Sequence, residues 1–139
     1  MTETSTNKPP FWFWIVSVIA LIWNGMGVDH YLGQAYNTER YKSSFTAEEL
    51  EIAASAPSWI TAAFAIAVFT AFIGAIGLLL RKKWATKFWV ISLIAVIIQI
   101  GYAFINNQVI SMSLSIMILV FAFIFLWFSR LSASKGWLS

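Results

Sequence analysis

Cysteine is absent from this 139-residue chain, histidine occurs once and proline three times. The first absence excludes a disulfide scaffold, thiol redox chemistry, c-type haem attachment and thiolate metal sites. Charge is scarce too, with Asp, Glu, Lys and Arg at 11% of residues, against about 25% in ordinary soluble domains. One histidine without cysteine provides neither a metal cage nor a nucleophile with its base, and no glycine-rich phosphate loop is present. The sequence therefore predicts a protein that is not an enzyme and that uses no cofactor and no metal.

What is there is apolar: hydrophobic residues make up 60% of the chain. Four apolar runs, at about 11–32, 58–80, 88–106 and 110–128, are each long enough to cross a hydrocarbon core that takes about 20 helical residues. The length leaves no room for a separate soluble domain, so residues 1–139 are expected to form a single membrane domain, an all-α bundle of four transmembrane helices. The first run ends near Gly33, Gln34 and Ala35 in the manner of a signal peptide. Its leader MTETSTNKPP carries only Lys8 as a cation, beside Glu3, so it is read as a retained span.

A net charge of +3 and a pI near 9.4 would suit nucleic acid only if the cations shared a face. Here they flank apolar spans, and the expected partner is the lipid bilayer, with no nucleic acid. With an even number of spans, Lys8, Arg81, Lys82, Lys83, Lys87, Arg130 and Lys135 lie on one side. The first loop holds Arg40 and Lys42 against Glu39, Glu48, Glu49 and Glu51. The positive-inside rule then places both termini in the cytoplasm. Trp12, Trp14, Trp59, Trp84, Trp89, Trp127 and Trp137 fall near the expected interfaces, as an aromatic belt requires.

The loop at 33–57 is the one sizeable part outside the bilayer, on the periplasmic side in this topology. Thr46 and Glu49 have the spacing of a capping box, and Phe45 can staple to Leu50. A short helix over 47–55 should end before Pro57 and cover helix ends as a lid.

Polar side chains within the spans cluster at one level. At 1.5 Å per residue, Asn24 lies about 20 Å and Asp29 about 27 Å along span one, while Gln99, Tyr102 and Asn106 lie about 16, 21 and 27 Å along span three. On span three Ser92, Ala95, Gln99, Tyr102 and Asn106 form one helical stripe. On span one Ser17, Ala20, Asn24, Gly27 and Tyr31 form another, beside Gly25, Asp29 and Gly33. Span two adds Thr61, and span four adds Ser111, Ser113 and Ser115. Such residues belong inside a bundle. They mark Asn24, Gln99, Tyr102 and Asn106 as candidate substrate-binding residues, with Asp29 and His30 at the mouth, where NGMGVDHYL reaches the outer interface and can loosen. The alternative is that Asn24 and Gln99 bond each other, a contact worth about 1 kcal/mol in a membrane. His30 beside Asp29 is either a solvated helix end or a proton-handling pair. Helix packing is expected along Ala63, Ala67, Ala71 and Ala75 of span two with Gly74 and Gly77 beside them, and at Gly25 and Gly27 of span one. The helix pressed against that ridge belongs to the same chain or to a second subunit.

The segments FWFWIVSVIALIWNGMGVDHYL, PSWITAAFAIAVF, LLLRKKWATKFWVISLIAV and KGWLS resemble a family of small bacterial four-helix inner-membrane proteins loosely labelled sugar transporters. WNGMG, LLLRKKWA and KGWLS are its most specific pieces, and the resemblance covers nearly the whole chain. It implies a bacterial envelope protein and carries over no binding residue. Two functions follow. One is transport of a small uncharged, sugar-like solute by an oligomer through an outward-facing polar pocket. The other is a non-catalytic accessory or assembly subunit docked on a larger membrane partner. Small multidrug exporters are alike in size, but their carboxylate lies within the first span, whereas Asp29 lies near the outer end of its span.

Because the chain lacks cysteine, a single Ser43→Cys change reports topology cleanly. A membrane-impermeant maleimide should label it from the periplasmic face, and labelling only from the cytoplasmic face would overturn the orientation.

Overall fold

Backbone N–H and C=O groups find no partner in hydrocarbon, so a crossing chain satisfies them within helices. The computed structural model, which describes residues 8–106 and 112–139, shows this for all four apolar runs. Its helices are α1 (Phe11–Tyr36), α2 (Glu39–Ser43), α3 (Ala47–Ala54), α4 (Ser58–Leu79), α5 (Ala85–Ile105) and α6 (Met112–Ser134). Among the described residues there is no strand. Helices α1, α4, α5 and α6 are long and apolar enough to span a membrane, and the protein is a multi-pass membrane bundle. Helices α2 and α3 occupy the first loop.

The spans differ from their expected limits at helix ends. Helix α1 runs unbroken through NGMGVDHYL to Tyr36, so this stretch does not loosen. Its glycines are packing positions instead: Gly25 sits against the Phe72 ring and Gly27 against Val68 of α4. The helix stops at Asn37, in the left-handed region at φ 52°, a conformation that asparagine tolerates. Thr38 N–H closes the turn onto Gly33 O at 3.1 Å, as in a Schellman end. Helix α5 begins three residues early, at Ala85, and α6 runs on to Ser134. Helix α3 ends one residue sooner than expected, with Ser55 as its C-cap. Its capping box forms in both directions, Glu49 N–H to Thr46 Oγ1 at 3.1 Å and Thr46 N–H to Glu49 Oε1 at 2.9 Å.

Helix α4 is the centre of the bundle. It packs against α1 on one side and α5 on the other, and α5 packs against α6. Its ridge of Ala63, Ala67, Ala71 and Ala75, with Gly74 and Gly77, is buried. Small residues let backbones approach, and the contacts show how far this goes. A Cβ on Gly74 would lie 2.9 Å from the Trp89 indole, and one on Gly77 would lie 2.8 Å from Trp84. Ser92 of α5 reaches across to donate to Ala67 O at 2.7 Å, a bond fully inside the bundle. The partner of the ridge is therefore within the same chain.

The end that carries the termini is closed by rings. Trp12 and Phe13 of α1 meet Phe128 of α6 and Trp137, with centroids 5.3–5.8 Å apart. After α6 the chain turns at Gly136, φ 77°, and lays KGWLS under the α4–α5 connection. Ser139 N–H donates to Arg81 O at 2.9 Å, Lys83 N–H donates to Ser139 O at 3.0 Å, and Arg81 Nε donates to Trp137 O at 2.9 Å. Leu138 is thereby fully buried. Two of the expected interface tryptophans are thus core residues: Trp89 because α4 offers it a glycine, and Trp137 because the C-terminal segment folds back. Trp59 and Trp127 are exposed, at 57% and 62%, as lipid-facing anchors should be.

Leucine at position 74 must displace the Trp89 indole, so Gly74→Leu should cost about 1–3 kcal/mol by overpacking. Ile94→Leu, on an exposed lipid-facing position, should stay within about 0.5 kcal/mol. Thermal unfolding of the two variants in detergent checks the difference, and equal melting would show that the ridge bears no load.

Candidate functional site

Polar residues singled out in the sequence line a cavity of about 560 Å³ that opens toward the loop end of the bundle, within the roughly 300–1,000 Å³ usual for ligand sites; they stand at different depths, Asn24 next to the Gly25–Phe72 contact and Tyr102 against Trp59. Helices α1, α4, α5 and α6 supply its walls. Its roof is the first loop, through Tyr41, Ser44 and Phe45 around α2 and Glu49, Ile52 and Ala53 of α3.

Asn24 and His30 of α1 and Gln99 and Tyr102 of α5 all line this cavity. The other two proposed binding residues do not. Asp29 points outward and pairs with Arg40 of α2, both side chains being well exposed. Asn106 caps α5, exposed, with its Nδ2 donating to Tyr102 O at 3.0 Å. Successive helix residues point about 100° apart, which is why Asp29 and His30 share a level and not a direction. No hydrogen bond joins the two among the described residues. Of the serines on α6, Ser115 lines the cavity, Ser113 is exposed and Ser111 lies outside the described residues.

No hydrogen bond joins Asn24 and Gln99. Asn24 Nδ2 donates to Ala20 O of its own helix at 2.8 Å, which leaves its oxygen and one N–H for another group. The Gln99 amide faces the cavity without a hydrogen-bond partner among the described residues. His30 is held by rings, with Tyr41, Phe45 and Phe64 edge-on at 5.5, 5.3 and 5.6 Å. Tyr102 is braced by Trp59 at 5.4 Å. The result is a set of donors and acceptors on two facing helices, suited to hydroxyl or amide groups of a guest. Glu49 at the roof already accepts the Thr46 N–H. Among the described residues no three His, Asp or Glu side chains gather where they could hold a metal ion.

Sequence reasoning missed Trp23, Gln34, Tyr41, Phe45 and Phe64 as lining residues. Trp23 carried a signal: it lies about 18 Å along span one, too deep for an interface anchor, and its ring meets Phe121 of α6 at 4.6 Å. Gln34 and Phe64 lie on α1 and α4 and Phe45 just before α3, whereas Tyr41 depends on α2, a five-residue helix with no hydrophobic period to announce it. Thr38 N-caps that helix, its Oγ1 accepting from Tyr41 N–H. Tyr41 then fits under Gly33, where a Cβ would come within 2.8 Å of it.

Burial pushes the Tyr41 phenol above its ordinary value of 10.0, because the phenolate would lose its water. The folded chain thus holds this proton more tightly than the unfolded chain. The contribution of Tyr41 to the docking of α2 is complete below pH 10 and is lost as pH rises through the raised value. Thermal unfolding followed from about pH 9 to about pH 11 should show this loss in the wild type, and Tyr41→Phe should flatten it.

Comparison with known protein families, curated proteins and solved structures finds no match to this chain, so its own residues carry the reading of function.

Proposed function

We propose that this protein is a small solute transporter of the bacterial inner membrane, with both termini in the cytoplasm, whose cavity opens to the outer side and takes an uncharged, hydroxyl-bearing solute. The observation that carries this reading is the convergence of Asn24, His30, Gln99 and Tyr102 on one cavity, with the Gln99 amide holding no described partner. A half-buried amide that the protein leaves unbonded is free to bond a guest or water. The cation split supports the orientation, and the likeness of WNGMG, LLLRKKWA and KGWLS to the small sugar-transporter family supports the class. Four helices enclose no path of their own past the rings at the terminal end, so the transporter works as an oligomer. That same closure, by Phe13, Phe128 and Trp137, favours a second reading, an accessory subunit that docks on a larger membrane partner and moves no solute.

Gln99→Ala separates the two. In a wet binding site the change should leave stability within about 0.5 kcal/mol of wild type and abolish the rise in melting temperature that a bound sugar gives. If the variant loses about 1–3 kcal/mol and no sugar shifts the wild type, the solute site is wrong and the accessory reading stands.

A further inference from the structure

The cavity changes character with depth. Near the roof its walls carry His30, Gln99 and Tyr102, and deeper it is walled mostly by Ala67, Ala71, Val96, Ala122, Phe125 and the Trp89 ring, with Asn24 at that lower level and its Nδ2 bonded to Ala20 O. The one hydroxyl at that depth, Ser92, is spent on Ala67 O, while the buried Trp89 Nε1–H has no hydrogen-bond partner among the described residues. From Tyr102 to Trp89 along α5 is about 20 Å, so the space is long as well as large. A sugar alone would leave most of its lower hydroxyls without partners there, and water does not stably fill a mostly apolar pocket.

The side wall between α1 and α6 changes at the same level. Ring pairs join the two helices from Trp12 and Phe13 up to Trp23 and Phe121. Beyond that pair, toward the loop end, no ring contact joins them among the described residues, and Met26 of α1 and Ile118 of α6 both line the cavity. Met26 is 61% exposed.

Resting on the reading of this cavity as a solute site, we infer that its ligand is an amphiphile: an uncharged hydroxylated head bonded at Gln99 and Tyr102, and an apolar chain that enters between Met26 and Ile118 and lies along Ala122 and Phe125 to the Trp89 ring. Head and chain are both required, because Gln99, Tyr102 and His30 gather near the roof while the walls below are mostly apolar.

The test uses the full chain in lipid nanodiscs with three probes: glucose, octanol, and octyl β-glucoside below its micelle-forming concentration. Octyl glucoside should raise the melting temperature saturably, with glucose and octanol at least tenfold less potent. A version brominated at the tail end should quench tryptophan emission in the wild type, and that quenching should fall in Trp89→Phe and in Ala122→Phe, which fills the lower cavity. Should Trp89→Phe not fold, Ala122→Phe and the three wild-type titrations still decide. Glucose as potent as octyl glucoside would keep the solute site and overturn the apolar chain, and octanol as potent would overturn the head. No saturable shift with any probe would overturn this inference, and a lack of response to every free sugar as well would overturn the solute site with it.

Discussion

The close approach of α5 to α4 is the contact on which the rest of the bundle depends. In lipid there is no hydrophobic drive to bring helices together, so van der Waals contact along small residues must do it. Gly74 and Gly77 remove the side chains that would hold α5 away, and Trp89 and Trp84 occupy the space. The same approach places Ser92 within reach of Ala67 O, so a polar group that would be costly in hydrocarbon becomes a tie between helices. Helix α1 uses the opposite side of α4 in the same way, with Gly25 and Gly27 against Phe72 and Val68.

A bundle held so firmly along α4 is free to differ at the side where α1 faces α6. There the helices are bridged by rings rather than by backbone proximity, and rings fill only the half that they reach. Trp12, Phe13, Phe128 and Trp137 close the end that carries the termini, while toward the loop end the gap persists as a cavity. The first loop covers that gap. Gly33 accepts Tyr41 beneath it, Thr38 starts α2 at once, and the Tyr41 and Phe45 rings reach His30. The cavity is thus the consequence of two packing modes meeting in one bundle, with the polar residues placed where the second mode leaves space.

The C-terminal segment adds a constraint of its own. By exchanging backbone hydrogen bonds with Arg81 and Lys83, it ties the end of α6 to the α4–α5 connection, and Trp137 and Leu138 plug the bundle there. Helices adjacent in the chain are held by short connections in any case. This tie joins elements more than fifty residues apart and closes the ring of helices at the terminal end.

The sequence by itself determined what depends on neighbours along the chain. Four apolar runs of spanning length, the Thr46–Glu49 cap and the four-residue spacing of the α4 alanines all follow from helix geometry and local hydrogen bonding, whereas the depth match expected of Asn24 with Gln99 and Tyr102 did not hold: α1 sits on α4 with Gly25 against Phe72, while Tyr102 meets Trp59. Only the tertiary structure decided which of those residues meet. It turned Asp29 out to Arg40 and His30 in among three rings, left Asn106 on the surface, took Trp89 and Trp137 from the lipid interface into the core, and brought LLLRKKWA against KGWLS. The physical reason is that depth and face are properties of one helix, whereas burial and partnership require the position of a second, and that position is set by side-chain volumes at contacts such as Gly74 against Trp89, which no spacing within a single segment encodes.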